Sequence, residues 1–542
     1  MNPSRLPQSR TLFILLALIS ARVATPSTVQ AAQSRLAGTP PNLLIILADD
    51  LGYSDLGCYG GEIRTPTLDR LAADGLRYTD FYSTGRCWPS RASILTGYYA
   101  QQVDMDPRGG PDWPEWTRLL PHYLREAGYR SYTSGKWHIR YTAIHPANGF
   151  DRSYQLRDHN RYFSPKDHLL DDHPLPQPTP DSGYYATTAI ADHAIEFLQE
   201  HQSEHEESPF FLYLAFTSPH FPLHAPEADI DRYRELYREG WDILREKRLQ
   251  RLKELDIYSG ELAERRPDIV APWSLSEIRL KSWVDPNETG RAVAWAQLTA
   301  DEKAFQQVKM AVHAAMVDRM DREIARVVDQ LAAMKALDDT LILFLSDNGA
   351  TAEQMIRGDS HRTGVPSGSA ESYLTLGPGW STAANTPFSL HKHWNHEGGI
   401  STPLIVHWPA GIASGGELRR VPGHIVDITP TLLELAGVAP SSEWNGVTAP
   451  PFPGLSLVPS FAHDPDWEAR PLFFHHFGNR ALRLGDWKIV MRRSNDNRWE
   501  LYHLAEDRAE RKDLAAEHPE KLAQLIAIWE AHERQFRIDA KR

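Results

Sequence analysis

A chain of 542 residues, 41% hydrophobic and 24% charged, has an ordinary globular composition and enough length for one large domain with a smaller companion. Its formal net charge of −13 argues against unspecific binding to nucleic acid or another polyanion, so any anionic ligand must be held by a local basic pocket.

In chain order, Arg5 and Arg10 precede an apolar run over 11–19, small residues follow, and Val29-Gln30-Ala31 offers a cleavage box. This predicts a secretory signal peptide over 1–31, too short for a comfortable membrane span, and hence an exported protein, periplasmic or secreted. An uncleaved N-terminal anchor is the alternative reading of the same run. Removing the three arginines of this segment takes the net charge from −13 to −16. The chain has no other long apolar run, so no stable membrane association is expected.

A first buried strand is predicted over 43–47, ending in Asp49-Asp50. Cys58 follows in a loop and is expected to remain a free, buried thiol. Next comes Gly85-Arg86-Cys87-Trp88-Pro89-Ser90-Arg91-Ala92-Ser93-Ile94-Leu95-Thr96-Gly97. Pro89 favours a first helical turn, and Gly97 can end the helix over 90–95. Cys87 then sits at a helix N-terminus, where free N–H groups and the dipole attract anions and activate a thiolate. Arg91, one turn in, can reach back. The bland reading is a cysteine packed as a small hydrophobe.

A second run over 129–133 leads into Ser134-Gly135-Lys136-Trp137-His138, and a third over 210–216 into Thr217-Ser218-Pro219-His220. Lys136, His138 and His220 are thereby placed just past strand ends; a solvated lysine and a surface histidine are the plain alternative for the first two. The charged stretch 229–301 reads as a helical insertion. Val317, Met320, Ile324, Val327 and Leu331 recur at helical spacing, ahead of a fourth run over 341–345 that ends in Asp347-Asn348-Gly349. Residues 351–384 read as a long loop. Lys392 lies among His391, His393 and His396, before a fifth run over 404–408. Past Arg470, alternation over 480–491 and 499–504 predicts antiparallel strands, and 516–536 a closing helix.

Buried strands alternating with amphipathic helices imply an α/β fold, a large mainly parallel sheet sandwiched by helices. The expected organisation is a domain over 41–469 and a smaller α+β domain over 470–542. In such sheets ligands gather beyond the carboxyl ends of the strands. Asp49, Asp50, Asp347 and Asn348 would face one another there, offering the oxygen ligands that calcium or magnesium requires. Each pair alone also serves as a strand-to-loop cap. His391, His393 and His396 leave open a zinc reading.

Together these strings resemble the formylglycine-dependent sulfatases. The resemblance rests on C-x-P-S-R with T-G downstream at 87–97, on Gly135-Lys136-Trp137-His138, on the Asp pairs, on Lys392, and on Trp499-Glu500-Leu501-Tyr502-His503-Leu504, where His503 stands for the usual aspartate. It spans roughly Pro41 to the C-terminus. It implies a maturation enzyme that oxidises Cys87 to formylglycine, and a divalent cation, calcium in preference to magnesium, held by Asp49, Asp50, Asp347, Asn348 and residue 87. It implies that a hydroxyl of hydrated residue 87, deprotonated with help from Asp347, attacks sulfur while Lys136 and Lys392 neutralise the sulfuryl oxygens. His220 would protonate the leaving alcohol, His138 would take the proton from the second hydroxyl, and Arg91 would stabilise the hydrate. The expected substrate is a sulfated small molecule or carbohydrate. A phosphonate or phosphate diester hydrolase of the same superfamily and an inert carbohydrate-binding relative remain the alternatives. Sixteen tryptophans fit sugar stacking and core filling equally.

Overall fold

The computed structural model describes Met1 and residues 40–357 and 361–542; apart from Met1, the segment expected to be a signal peptide lies outside the described residues. Residues from Pro40 to Arg542 form one compact unit. Its main sheet has ten strands: β1 (Asn42–Asp49), β2 (Leu76–Tyr78), β3 (Arg130–Gly135), β4 (Arg152–Leu156), β5 (His168–Leu170), β6 (His173–Pro174), β7 (Phe210–Pro219), β8 (Thr340–Ser346), β9 (Leu404–His407) and β10 (Glu417–Arg419). Their spatial order is β10-β2-β9-β8-β1-β7-β3-β4-β5-β6. The five central strands, β8-β1-β7-β3-β4, are all parallel. β9 runs antiparallel to both its neighbours, and β5 and β6 close the far edge antiparallel. The five predicted runs are β1, β3, β7, β8 and β9.

Alternation along β1 sorts the core into two layers. Leu44, Ile46 and Ala48 join a cluster with Ile190, Ala194 and Phe197, and with Val317, Met320, Ile324, Val327 and Leu331. The former group lies on one long helix (Ala186–Glu204) and the latter on another (Ala300–Ala333). Leu43, Ile45 and Leu47 pack in a second cluster with Ala92, Ile94 and Leu95. In chain order the helices needed below are α1 (Cys87–Thr96), α2 (Ala186–Glu204), α3 (Gly240–Glu254), α4 (Ala300–Ala333), α5 (Gly377–Ala384) and α6 (Pro519–Asp539).

The stretch 229–301 differs from its reading as helical. α3 is regular, but 255–299 is mostly irregular, broken by an α turn over Glu277–Arg279 that runs into a π turn over Leu280–Val284, and by a 3-10 turn over Trp295–Gln297. Pro267, Pro272 and Pro286 remove backbone donors there. Buried ion pairs hold the segment in place: Arg248 Nη1 to Asp55 Oδ1 at 2.7 Å, Arg248 Nε to Glu62 Oε2 at 2.8 Å, and Lys309 Nζ to Glu288 Oε2 at 2.7 Å. The segment's Trp241 and Trp295 meet each other and Trp380 edge to face or tilted. The supposed loop 351–384 likewise ends in a helix, α5, begun by Gly377 at φ +76° and by Pro378 in its first turn.

The C-terminal sheet is antiparallel in the order β11 (Pro471–His476), β12 (Asn479–Leu484), β13 (Trp487–Met491), β14 (Trp499–His503). Phe473, Leu482, Ile489 and Leu501 pack under Leu525, Trp529 and Phe536 of α6. Its other face meets Tyr82 and Ile400. Lys488 joins Glu397 and Glu510 at 2.7 and 2.9 Å, and Arg508 Nε meets Glu397 at 2.9 Å. His503 packs against Trp487. Cys58 is buried and unbridged, its thiol pushed well up by burial and then by Asp69.

Candidate active site

Register delivers the site. Asp49 and Asp50 leave β1, Lys136 leaves β3, His220 leaves β7 and Asp347-Asn348 leaves β8, all at the carboxyl edge of the parallel core. β1 and β7 pair Asp49 with Pro219 across a bulge, and β3 pairs Gly135 with Ala215 of β7. Asp50 and His138 take left-handed backbone angles, φ 65° and 61°, so the chain turns sharply just where these side chains must point into the edge. Asp347-Asn348-Gly349 docks through backbone: Gly349 N donates to Gly399 O at 3.0 Å. A Cβ on Gly349 would lie 1.9 Å from Gly398 O, so only glycine permits that approach.

Cys87 is the first residue of α1, which ends at Gly97 with φ 79°. Its Sγ lies 3.4 Å from His138 Nδ1. Ligand atoms of Asp49, Cys87 and Asp347 lie within 4.8 Å of one another, as do those of Asp49, Asp50 and His220. Arg91 donates from Nε and Nη2 to Asp347 Oδ2 at 3.0 and 2.7 Å, and from Nη1 to Lys136 O at 2.7 Å. Lys136 Nζ donates to Asp49 Oδ2 at 2.5 Å. Lys392 Nζ and Asn348 Nδ2 both donate to Asp50 Oδ1, at 2.6 and 2.7 Å. His220 Nδ1–H donates to Phe221 O at 2.5 Å, leaving Nε2 3.7 Å from Asp50 Oδ2.

The other oxygens of this cluster form a cradle that could hold a cation. Asp49 Oδ1, Asp50 Oδ2 and Asn348 Oδ1 are buried with no hydrogen-bond partner among the described residues. Buried polar atoms are ordinarily paired, and three oxygens left over in one place fit a hard cation. The carboxylates carry the electrostatic strain of sharing a dry site. Burial and then Asp49 push Asp347 up to about 7. Burial also raises Asp50, against the pull of Lys392. Burial opposes ionisation of Asp49 as well, but Lys136 and Arg91 overcome it and hold its carboxyl at about 2. Burial, then Lys136, holds His138 well below its ordinary range; burial, then Lys392 and Lys136, does the same to His220. Both imidazoles are therefore neutral near pH 7.

His391, His393 and His396 do not converge. His391 Nδ1 pairs with Ser381 Oγ at 2.8 Å, His396 Nε2 with Glu500 Oε2 at 3.0 Å, and His393 lies against Trp273 and His476.

Other side chains share the site without a signal in the strand-end pattern. His159 sits between His138 and His220, with ring centroids 5.4 and 5.6 Å away. It follows β4, whose polar Ser153 and Gln155 keep that strand from reading as a buried apolar run. Arg108 donates to His138 O at 2.6 Å and lies over the Trp88 ring. Arg86 pairs with buried Glu353 and stands against Trp88 and Trp273. Arg357 lies over the Phe221 ring.

An α/β sheet with an anion-attracting helix N-terminus, two lysines and an oxygen-rich cation cradle at one edge defines a hydrolase for anionic esters. Residues 41–438 match the Sulfatase family model, and 388–532 match that of the N-sulphoglucosamine sulphohydrolase C-terminal region. An uncharacterized sulfatase of Schizosaccharomyces pombe is 32% identical over 91% of this chain and 93% of its own. An arylsulfatase of Klebsiella aerogenes is 29% identical over 77% of this chain and 91% of its own. A structure solved with D-glucosamine-2-N,6-O-disulfate superposes with a TM-score of 0.63 at 21% identity, over 93% of this chain and 100% of its own. The chain belongs to the sulfatase family, and its activity is that of a sulfuric ester hydrolase.

Proposed function

We propose that this protein, exported and matured at residue 87, hydrolyses a sulfate ester of a carbohydrate or small molecule to the alcohol and inorganic sulfate. The observation that supports this most directly is the meeting of Cys87, Asp49 and Asp347 within 4.8 Å, flanked by Lys136 and Lys392. The likeness to a structure holding a sulfated glucosamine adds support for a carbohydrate substrate.

In this reading Asp49, Asp50, Asp347 and Asn348 hold a calcium ion, with magnesium as the alternative, which supplies positive charge for the sulfuryl oxygens. Residue 87, oxidised to formylglycine by a maturation enzyme, supplies a hydroxyl of its hydrate as nucleophile. His138, neutral and facing residue 87, accepts a proton from that residue. Lys136 and Lys392 present ammonium groups to the sulfuryl oxygens, where spreading negative charge is best stabilised. His220 has Nδ1–H committed to Phe221 O, so its Nε2 is the atom that faces the leaving alcohol. It must carry a proton to act as an acid; an arriving anionic ester offsets Lys392 and Lys136 and raises its proton affinity. Arg91, with its guanidinium on Asp347 and Lys136, keeps both in place.

The test is turnover of nitrophenyl sulfate by the purified protein, alongside Cys87→Ala. Turnover lost in the variant supports the reading. Equal turnover by both proteins, or faster turnover of phosphonate and diester analogues than of the sulfate, overturns it.

A further inference from the structure

A continuous wall of aromatic and polar side chains runs outward from residue 87. Trp88 stands edge-on to His138 at 5.7 Å, to His476 at 5.5 Å and to Phe477 at 5.9 Å. His393 lies 5.2 Å from His476 and 5.3 Å from Trp273. Trp273 and Phe477 meet at 5.6 Å; they form the outer end of the wall, 53% and 37% exposed. The wall joins α1, the irregular segment after α3, the segment around His393 and the end of β11 with its turn into β12.

Four polar atoms on or behind this wall are buried without a partner among the described residues: Trp88 Nε1, His393 Nδ1, His476 Nε2 and Glu353 Oε2. Glu353, His393 and His476 are each more than nine-tenths buried. In two of these side chains the other polar atom is engaged. Glu353 holds Arg86 through Oε1, and His476 Nδ1 meets Asp106 Oδ2 at 2.9 Å. An unpaired buried donor or acceptor is costly, and a ligand that pairs it recovers that cost. The indole offers only a donor, the carboxylate only an acceptor, and each imidazole nitrogen either role. Sugar hydroxyls donate and accept, and the apolar face of a pyranose stacks on aromatic rings; a nitrophenyl ring supplies no hydroxyl.

We infer that Trp88, Glu353, His393 and His476 form the hydroxyl-reading wall for the sugar unit that carries the sulfate, and that Trp273 and Phe477 stack a neighbouring unit of an oligosaccharide. This inference rests on the sulfatase reading above and extends it to the leaving group.

The test uses the full-length protein, with nitrophenyl sulfate and a panel of sulfated mono- and disaccharides as substrates and competitors. His393→Phe keeps the ring and removes its nitrogens; Trp273→Ala alters an exposed position and spares the core. In both variants the ratio of kcat/KM for the best sugar sulfate to that for nitrophenyl sulfate is expected to fall about tenfold or more, the effect of one unmade hydrogen bond or stack. Trp273→Ala should act more strongly on disaccharides than on monosaccharides. An unchanged ratio in both variants, or a panel in which no sugar is turned over or competes with nitrophenyl sulfate, overturns the wall. Failure of the wild-type protein to cleave any sulfate ester overturns the sulfatase reading itself, and the wall with it.

Discussion

Lys392 Nζ sits 2.6 Å from Asp50 Oδ1, while Oδ2 of the same carboxylate has no hydrogen-bond partner in the described structure. In the function proposed above, one oxygen ties down a lysine for the sulfuryl group and the other is open to a cation. Two of the positive charges that a sulfate ester would meet in the proposed reaction are thus organised around Asp50, while Lys136 is held by Asp49.

Asp50→Ala is expected to abolish stoichiometric calcium or magnesium binding, read by metal analysis of the purified protein. Activity should fall about hundredfold or more, since even outer partners of metal ligands commonly matter tenfold to hundredfold. Asp49→Ala should behave alike. Full metal content in both variants would show that the cation is held elsewhere.

Mass spectrometry of the active protein should show formylglycine at residue 87 in the peptide spanning α1. Material expressed without a maturation enzyme should retain cysteine there and turn over in proportion to its converted fraction. Undiminished turnover from wholly unconverted protein would contradict the nucleophile assignment.

The two histidines should separate in a leaving-group series. His220→Ala should lose about a hundredfold to ten-thousandfold on alkyl or sugar sulfates, the usual worth of an acid catalyst. It should lose far less on nitrophenyl sulfate, whose leaving group needs little protonation. His138→Ala, next to residue 87, should lose activity regardless of the alcohol. Equal dependence on leaving-group pKa in the two variants would mean the roles are misassigned.

Docking of the C-terminal sheet should be acid-sensitive. Burial opposes ionisation of Glu397, but Lys488 and Arg508 prevail and hold its carboxyl at about 2, below the ordinary 4.5. A depressed carboxylate contributes stability fully above its unfolded value, so this part is lost as pH falls from about 4.5 towards 2. Glu510, raised by burial, takes its proton before the pH reaches 4.5, a step that by itself adds stability and so works against the loss from Glu397. Glu397→Gln leaves Lys488 and Arg508 with less counter-charge, and should cost about 3–5 kcal/mol at neutral pH, the scale for breaking a buried ion pair. Denaturant melts across pH 2–7 would check both.

Gly349→Ala should lower the Tm and weaken cation binding together. The added methyl collides with Gly398 O, and relief must shift Asp347-Asn348. Overpacking of this kind costs about 1–3 kcal/mol. A lower Tm with unchanged metal affinity would separate the packing of this junction from the cradle.

The central strands could be read in the sequence because strands buried on both faces must be apolar throughout. Leu43 to Leu47 and Phe210 to Phe216 leave no other reading of that length. The residues just past those strands were legible for the same reason: topology sends every parallel strand end to one edge, so Asp49, Lys136, His220 and Asp347 were bound to meet. Residues around Cys87 and Lys136 also carried family strings. Local sequence could not show that Asp49 Oδ1, Asp50 Oδ2 and Asn348 Oδ1 would be left unpaired, because that depends on Lys136 and Lys392 arriving from distant segments to take the other oxygens. His159 was invisible because β4 is half polar. The irregular course of 255–299 was equally hidden: it is held by long-range contacts such as the Lys309–Glu288 ion pair, whose partners no local pattern links. The wall that reaches Trp273 and Phe477 was decided by tertiary structure alone, since the segments that carry Trp88, Trp273, His393 and Phe477 are remote in the chain and none shows a periodic signal.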